Sequence, residues 1–233
     1  MYDNVRLSPS NSKMWINCPG SINFINSKII ESIPQSNFTE EGTVAHDLAN
    51  ILLTVDDEKL FNLVNSKHVI TYIDYVKNIR GTKFYEKKVN LSFLLGNKRT
   101  GTIDCLIISE NNKHLDIIDL KYGKHVKEVA TNNSQLAIYA LGAINEYEWL
   151  YNIETISLHI VQPRQDNISI WHLSYEELVS YGEYIKNKVE ETKKEDAQIV
   201  PSANGCRWCL ANKICEVAYK KSKKKTLEFD VLD

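Results

Sequence analysis

The stretch Gly101-Thr-Ile-Asp104-Cys-Leu-Ile-Ile-Ser-Glu-Asn111-Asn112-Lys-His-Leu-Asp-Ile-Ile-Asp119-Leu120-Lys121-Tyr-Gly123 decides how this chain folds. Two apolar, β-rich runs flank Glu110-Asn111-Asn112-Lys113. Asn-Asn suits a two-residue turn with positive φ, and such a turn sets the register of a hairpin. With Asn111 and Asn112 as the loop, Asp104 faces Asp119 and Thr102 faces Lys121. Opposed Cβ atoms in a strand pair lie about 4.5–5.5 Å apart. Side chains alternate along a strand, so Asp119 and Lys121 share a face. One face is therefore expected to collect two carboxylates and an ammonium beside Leu106, Ile108, Leu115 and Ile117. The other carries Ile103, Cys105, Ile107, Ile118 and Leu120. A hairpin apolar on both faces belongs in the middle of a sheet covered on both sides.

Two like charges in a half-buried site repel and raise one pKa, a penalty that a divalent cation removes. The same residues also make a structural ion pair if Lys121 neutralises one aspartate. On these residues alone both roles stand.

Outward from the hairpin, the pattern is mixed α/β. Pro9 and Ser10 can start a short helix through Met14 and Trp15 that Pro19 and Gly20 stop. Thr39 can cap a helix whose first turn holds Glu40 and Glu41 and whose apolar face is Val44, Leu48, Ile51 and Leu52. A second helix is predicted over 57–79. Strands are predicted near 83–95, 100–108 and 114–121, then 156–163 and 168–173. Between these two groups, Asn132 or Asn133 can cap a helix through Leu150. Ser174 and Glu177 form a capping-box pattern for a helix to about residue 193. Residues 1–200 read as one core, 201–219 as a cysteine-bearing segment and 220–233 as a frayed tail.

Composition narrows the function. At 233 residues, 43% hydrophobic and 25% charged, the chain can build one sizeable core. A net charge of −2 gives no global attraction for nucleic acid, so such binding must use local patches. The basic clusters are Lys87-Lys88, Lys98-Arg99, Lys121 to Lys127 and Lys220 to Lys225. No apolar run approaches the roughly 20 residues of a membrane span. The N-terminal residues lack a signal peptide's apolar stretch, so an intracellular, cytoplasmic protein is expected. The sequence holds no phosphate-binding P-loop, no Gly-x-Gly-x-x-Gly and no serine nucleophile elbow.

Further residues carry chemistry. His46, four after Gly42 on an early helix, can offer a ring nitrogen to a metal. Gly42 would allow close approach to that helix. Gln135 and Tyr139 stand at i and i+4 on one helix face. Cys206, Cys209 and Cys215 are spaced C-x2-C-x5-C. A tetrahedral zinc or a cubane needs a fourth thiolate, for which Cys18 and Cys105 are the candidates. Cys105 is expected in the sheet core, whereas Cys18 lies in an irregular Asn-Cys-Pro-Gly stretch and is freer to reach. Spacing alone does not separate zinc from iron-sulfur.

Together these residues resemble the PD-(D/E)xK nuclease superfamily, most of all its RecB-like and Cas4-like iron-sulfur exonucleases. Gly42-x3-His46 is similar to that branch's helical histidine motif, Asp104 to its first acid, Asp119-Leu120-Lys121 to its (D/E)xK, and Gln135-x3-Tyr139 to its QxxxY. Cys18 with Cys206, Cys209 and Cys215 resembles its one-plus-three cysteine set. Leu7-Ser-Pro-Ser, Asn17-Cys-Pro-Gly and Val161-Gln-Pro-Arg also resemble an uncharacterised phage and prophage family of the superfamily. The resemblance implies a restriction-endonuclease-like core, a central mixed sheet flanked by helices. It implies an exonuclease acting on DNA ends in phage recombination or repair, using Mg²⁺ or Mn²⁺ and leaving 5′-phosphates. His46, Asp104, Asp119 and the Leu120 carbonyl would hold the metal, and Lys121 would orient or deprotonate the attacking water. Gln135 and Tyr139 would complete the site, with Glu86 as an auxiliary acid. Cys18, Cys206, Cys209 and Cys215 would hold a structural 4Fe-4S cluster, with zinc as the alternative. A homo-oligomer or a phage recombination partner would supply the positive charge this chain lacks. A non-catalytic nucleic-acid-binding module with a structural metal cluster is the competing expectation.

Overall fold

The computed structural model describes residues 7–27, 37–55, 59, 61, 66–96, 98–124 and 126–219. Five strands form one mixed sheet in sequence order: β1 (Thr82–Asn90), β2 (Thr100–Ile108), β3 (His114–Leu120), β4 (Thr155–Gln162) and β5 (Asn167–Ser174). All neighbours are antiparallel except β3 and β4, which are parallel. That parallel step needs a crossover, and helix α6 (Ser134–Tyr147) supplies it. The remaining labelled helices are α1 (Ser12–Asn17), α2 (Ser21–Ser27), α3 (Asn37–Thr54), α4 (Lys67–Asn78), α5 (Ser92–Leu95), α7 (Tyr175–Lys193) and α8 (Ala203–Arg207). The α/β class and the helix-flanked mixed sheet are as expected.

The hairpin is central and covered on both sides. Leu106, Ile108, Leu115 and Ile117 join a cluster with α1, α6 and α7, which runs from Leu7 to Ala211. Cys105, Ile107, Ile118 and Leu120 join a second cluster with α3 and α4. The register is the one expected, with Cys105 opposite Ile118 and Ile108 opposite Leu115. The turn differs. It is a four-residue loop closed by Ser109 N–H to the His114 carbonyl at 3.0 Å, and of its two asparagines only Asn112 takes a positive φ, 59°. The Asn111 side chain accepts from Ser109 Oγ and Lys113 N–H, doing part of the turn's work without a left-handed backbone.

Helix ends follow the sequence signals. Asn133 caps α6 by accepting from Leu136 N–H, and Ser174 with Glu177 forms the complete capping box of α7. Helix α3 starts at Asn37, ahead of Thr39. Its buried stripe is Ala45, Ala49 and Leu52, while Val44 is 64% and Ile51 47% exposed. Of the expected apolar face, Leu52 is buried and Leu48 packs against the same cluster, while Val44 and Ile51 are corrected to the exposed side. Small alanines let the helix axis approach the sheet, and that approach presents His46 to the strands. Strand β1 ends at Asn90 rather than 95, where Leu91 N–H turns to bond the Arg99 carbonyl and α5 follows. The described helix in the predicted 57–79 stretch is α4; much of 56–65 and the expected tail at 220–233 lie outside the described residues. No described helix is long and apolar enough to cross a membrane.

Candidate active site

The site forms where the sheet ladder opens. Pairing of β1 with β2 skips Glu86 and Asp104, between the pairs Tyr85–Cys105 and Lys87–Ile103. Glu86 has φ 45°, a left-handed conformation uncommon for a residue inside a strand. The kink reverses alternation in both strands. Ile103 and Val89 pack in the α6 cluster, although simple alternation from Cys105 and Tyr85 puts them on the α3/α4 side. Local disruptions of this kind re-aim side chains.

Asp104 therefore leaves the β1 ladder, while its charge still acts on Asp119. Asp104 Oδ2 accepts Leu120 N–H at 2.7 Å, taking the place of a strand acceptor between β2 and β3. Its Oδ1 lies 3.3 Å from His46 Nδ1. Glu86 swings in from β1, and one ligand atom each from His46, Glu86 and Asp104 lies within 4.8 Å of the others. Tyr72 and Leu120 close the small cavity beside them.

Asp119 and Lys121 point to the α6 side. Lys121 Nζ lies 2.8 Å from Asp119 Oδ2 and donates to Gln135 Oε1 at 3.1 Å; Gln135 Nε2 donates to Tyr139 Oη at 3.4 Å. The QxxxY face of α6 thus touches the lysine rather than the metal triad. Tyr139 reaches this position because position 101 is glycine. A Cβ there would lie 2.7 Å from the Tyr139 ring. Gly42 has no such role, since a Cβ added to it would meet nothing within 4 Å. The loop after Lys121 is pinned by Gln162, whose Nε2 donates to the Gly123 and Val126 carbonyls and whose Oε1 accepts from Glu128 N–H. Tyr72 carries no motif that marks it in the sequence, Gln162 enters there only within Val161-Gln-Pro-Arg, and Glu86 enters only as an auxiliary acid.

Charge separates this site from the rest of the sheet. Burial raises the Asp119 carboxyl to about 6 against the pull of Lys121, with Asp104 raising it further. Burial opposes protonation of His46, but the hydrogen bond and charge of Asp104, with Asp119 behind it, raise it to about 9. Burial and then Asp104 raise Glu86. Burial would lower Lys121, and the charge of Asp119 outweighs it. Asp116, three residues before Asp119, is the contrast. Burial pushes its carboxyl up, but His114 and His159, both against Oδ1 at 3.3 and 2.8 Å, hold it below the usual range. Asp116 is satisfied by protein; the Asp119 side has an excess of negative charge.

Tyr72 Oη is buried at the site with no hydrogen-bond partner among the described residues. Asp119 Oδ2 has Lys121 as its ion-pair contact. Buried polar atoms without partners mark places where a water or ion belongs. Carboxylate oxygens with one imidazole suit a hard or borderline divalent cation such as Mg²⁺ or Mn²⁺. The residues fit that group.

These shifts give a signed expectation for the metal-free protein. His46 at about 9, above its ordinary 6.5, stabilises the fold fully below about pH 6.5, and that contribution is lost as pH rises through 9. Asp119 at about 6, above its ordinary 3.8, makes the folded state prefer the proton, so stability falls as pH rises through 6. In EDTA the urea midpoint should therefore drop from about pH 5.5 to about pH 9. His46→Asn should flatten the upper half of that fall. An unchanged midpoint across the range would show that neither group titrates as described.

The second constellation also assembles. Cys18, Cys206, Cys209 and Cys215 line one small apolar cavity. Cys105 stays in the sheet core, where burial raises its thiol. Burial likewise raises Cys18 and Cys209, and the neighbouring cysteines add to it. Gly20 permits the clasp. A Cβ there would sit 2.3 Å from the Ala197 carbonyl oxygen, Gly20 N–H bonds the Gln198 carbonyl, and Val200 N–H donates to Cys18 Sγ at 3.2 Å. Tetrahedral zinc with Zn–S bonds of about 2.3 Å holds its sulfurs about 3.8 Å apart. Four thiolates make a complete donor set for such a site. The all-thiolate donor set fits a polynuclear iron-sulfur group.

A family model described as "Protein of unknown function (DUF2800)" matches residues 5–232. A solved structure described as "Crystal structure of SSO0001" is similar at a TM-score of 0.37 and 15% identity, covering 88% of this chain and 84% of that one. A likeness of that degree carries no argument about the site.

Proposed function

The chain belongs to the DUF2800 family, whose function is unknown, and for it we propose metal-dependent hydrolysis of DNA phosphodiesters. The observation that carries this is the convergence of His46, Glu86 and Asp104 on one point, beside a buried Asp119 paired with a lysine that Gln135 aligns. The kink makes that convergence specific: Glu86 and Asp104 both leave their strand pairing to reach it.

His46, Glu86 and Asp104 would hold the ion, with Asp119 at its edge. A divalent ion bound there supplies a water of lowered pKa and neutralises charge developing on phosphorus. Leu120 N–H fixes Asp104, so one carboxylate oxygen stays directed at the site. Lys121 lies where an ammonium can hold a water or a phosphoryl oxygen. Gln135 holds Lys121, and Tyr139 holds Gln135. The Leu120 residue contributes its N–H to Asp104; use of its carbonyl as a ligand belongs to the proposal. The four cysteines lining one cavity would hold an iron-sulfur group, with zinc as the alternative, in a structural role. The non-catalytic alternative rests on the Asp119–Lys121 contact, which serves equally as an ion pair.

The test is digestion of end-labelled linear DNA. Wild type should release labelled products with Mn²⁺ or Mg²⁺ and none in EDTA. Glu86→Gln should raise the Mn²⁺ concentration for half-maximal rate by about tenfold or more, since loss of a ligand or its support weakens metal sites by roughly that factor. No cleavage under any metal, together with no calorimetric Mn²⁺ binding, would reject the proposal.

A further inference from the structure

An open groove of about 710 Å³ lies away from the His46, Glu86 and Asp104 cluster. Its walls come from α1, the 126–134 segment, α7 and the cysteine clasp. Three cations line it, Lys13, Lys127 and Arg207, against one acid, Glu128, which pairs with Lys13 at 2.7 Å. The groove is thus positive in a chain of net charge −2. Its aromatic residues are Tyr181, Tyr184 and Trp208, with Trp208 56% and Tyr184 42% exposed. Arg207 lies over the Trp208 ring at 5.4 Å. Asn132, at φ 57°, adds an amide side chain to the floor.

We propose that this groove binds a single nucleic-acid strand, with Trp208 and Tyr184 stacking bases and Lys127 and Arg207 holding phosphates; it rests on the nuclease proposal for its orientation toward the site. Open aromatic faces inside a basic channel match strands whose bases are unstacked. A duplex keeps its base faces covered and gains nothing from the rings. Groove and site are continuous through the chain. Ser134 lines the groove and the next residue, Gln135, accepts from Lys121. Glu128 lines the groove and its charge acts on Lys121.

The clasp is part of the binding wall. Arg207 and Trp208 are the two residues between Cys206 and Cys209, so whatever holds those thiols also sets the angle of the stacking ring. The cysteine group acquires a task beyond stability, the placement of a substrate contact.

The experiment is fluorescence anisotropy of the full chain with a labelled oligonucleotide of about 15 nucleotides, within the span of single-strand sites, in EDTA so that nothing is cut. The single strand should bind more tightly than its duplex. Trp208→Ala should weaken it about tenfold, and Trp208→Phe should restore most of it. Lys127→Ala with Arg207→Ala should make the log-affinity against log-salt slope shallower by about 1.4. Equal binding by wild type, Trp208→Ala and the double variant would overturn the groove assignment, as would equal affinity for duplex, or no strand binding at all. Cleavage with Mn²⁺ keeps the two proposals apart. A wild type that binds as described yet cuts nothing rejects the nuclease and leaves the groove standing. One that cuts, with KM untouched by the groove variants, rejects the groove alone.

Discussion

Lys121→Ala is expected to lose about 10²–10³ of the Mn²⁺-dependent cleavage rate, the usual cost of removing one group aimed at developing charge. It should also lose stability, because the nearly buried Asp119 is left without its cation. A fully buried pair broken on one side costs about 3–5 kcal/mol. Lys121 keeps 25% of its side-chain surface exposed, so about 2–3 kcal/mol is the expected loss here. The double variant Asp119→Asn, Lys121→Met separates the two roles. It removes both charges, so it should recover most of the stability and none of the activity. Urea unfolding and single-turnover cleavage read the two outcomes. If stability and rate return together, or if Lys121→Ala cuts as well as wild type, the pair is structural and the catalytic role is lost.

Cys18→Ser is expected to have the second large effect, and far from the metal triad. It should strip iron from anaerobically purified protein and abolish its broad visible absorbance. It should also free the segment from Ala197 to Cys215 from α2, because Gly20, Cys18 and Val200 lie at one seam. Loss of a structural metal group removes folding free energy directly. Hydrogen exchange at 197–215 should rise together with exchange at α1 and α2. Colourless wild type holding one zinc would replace the iron-sulfur group with zinc, and unchanged exchange in Cys18→Ser would remove the clasp.

The parts legible in the sequence were those governed by local chemistry. The hairpin register follows from alternation over Leu106, Ile108, Leu115 and Ile117, and it held even though the turn is longer than Asn-Asn suggested. Asn133 and Ser174 cap their helices because their side chains satisfy nearby N–H groups. The residues singled out by motif, His46, Asp104, Asp119, Lys121, Gln135 and Tyr139, come within one region, as do the four cysteines. The kink was not legible. A glutamate does not announce a left-handed backbone as glycine or asparagine would, so Glu86 was undervalued and the departure of Asp104 from the β1 ladder went unread. Helix α3 was misjudged for a related reason: counting large apolar residues favoured Val44 and Ile51, whereas close packing favoured Ala45 and Ala49. The groove could not be read at all, since four segments distant in sequence build it.

The contact between Gly20 and the Ala197 carbonyl also orders events in time. During synthesis α2 emerges long before its partner. At about 5–20 residues per second, the chain between them takes roughly 10–35 s to make. Until then the N-terminal helices lack one wall of their packing, and the cysteine set has a single member. The nascent chain can lay down its sheet and bring His46, Glu86 and Asp104 together before the groove wall carrying Arg207 and Trp208 can close. The groove is therefore the last of these features to acquire all four of its walls.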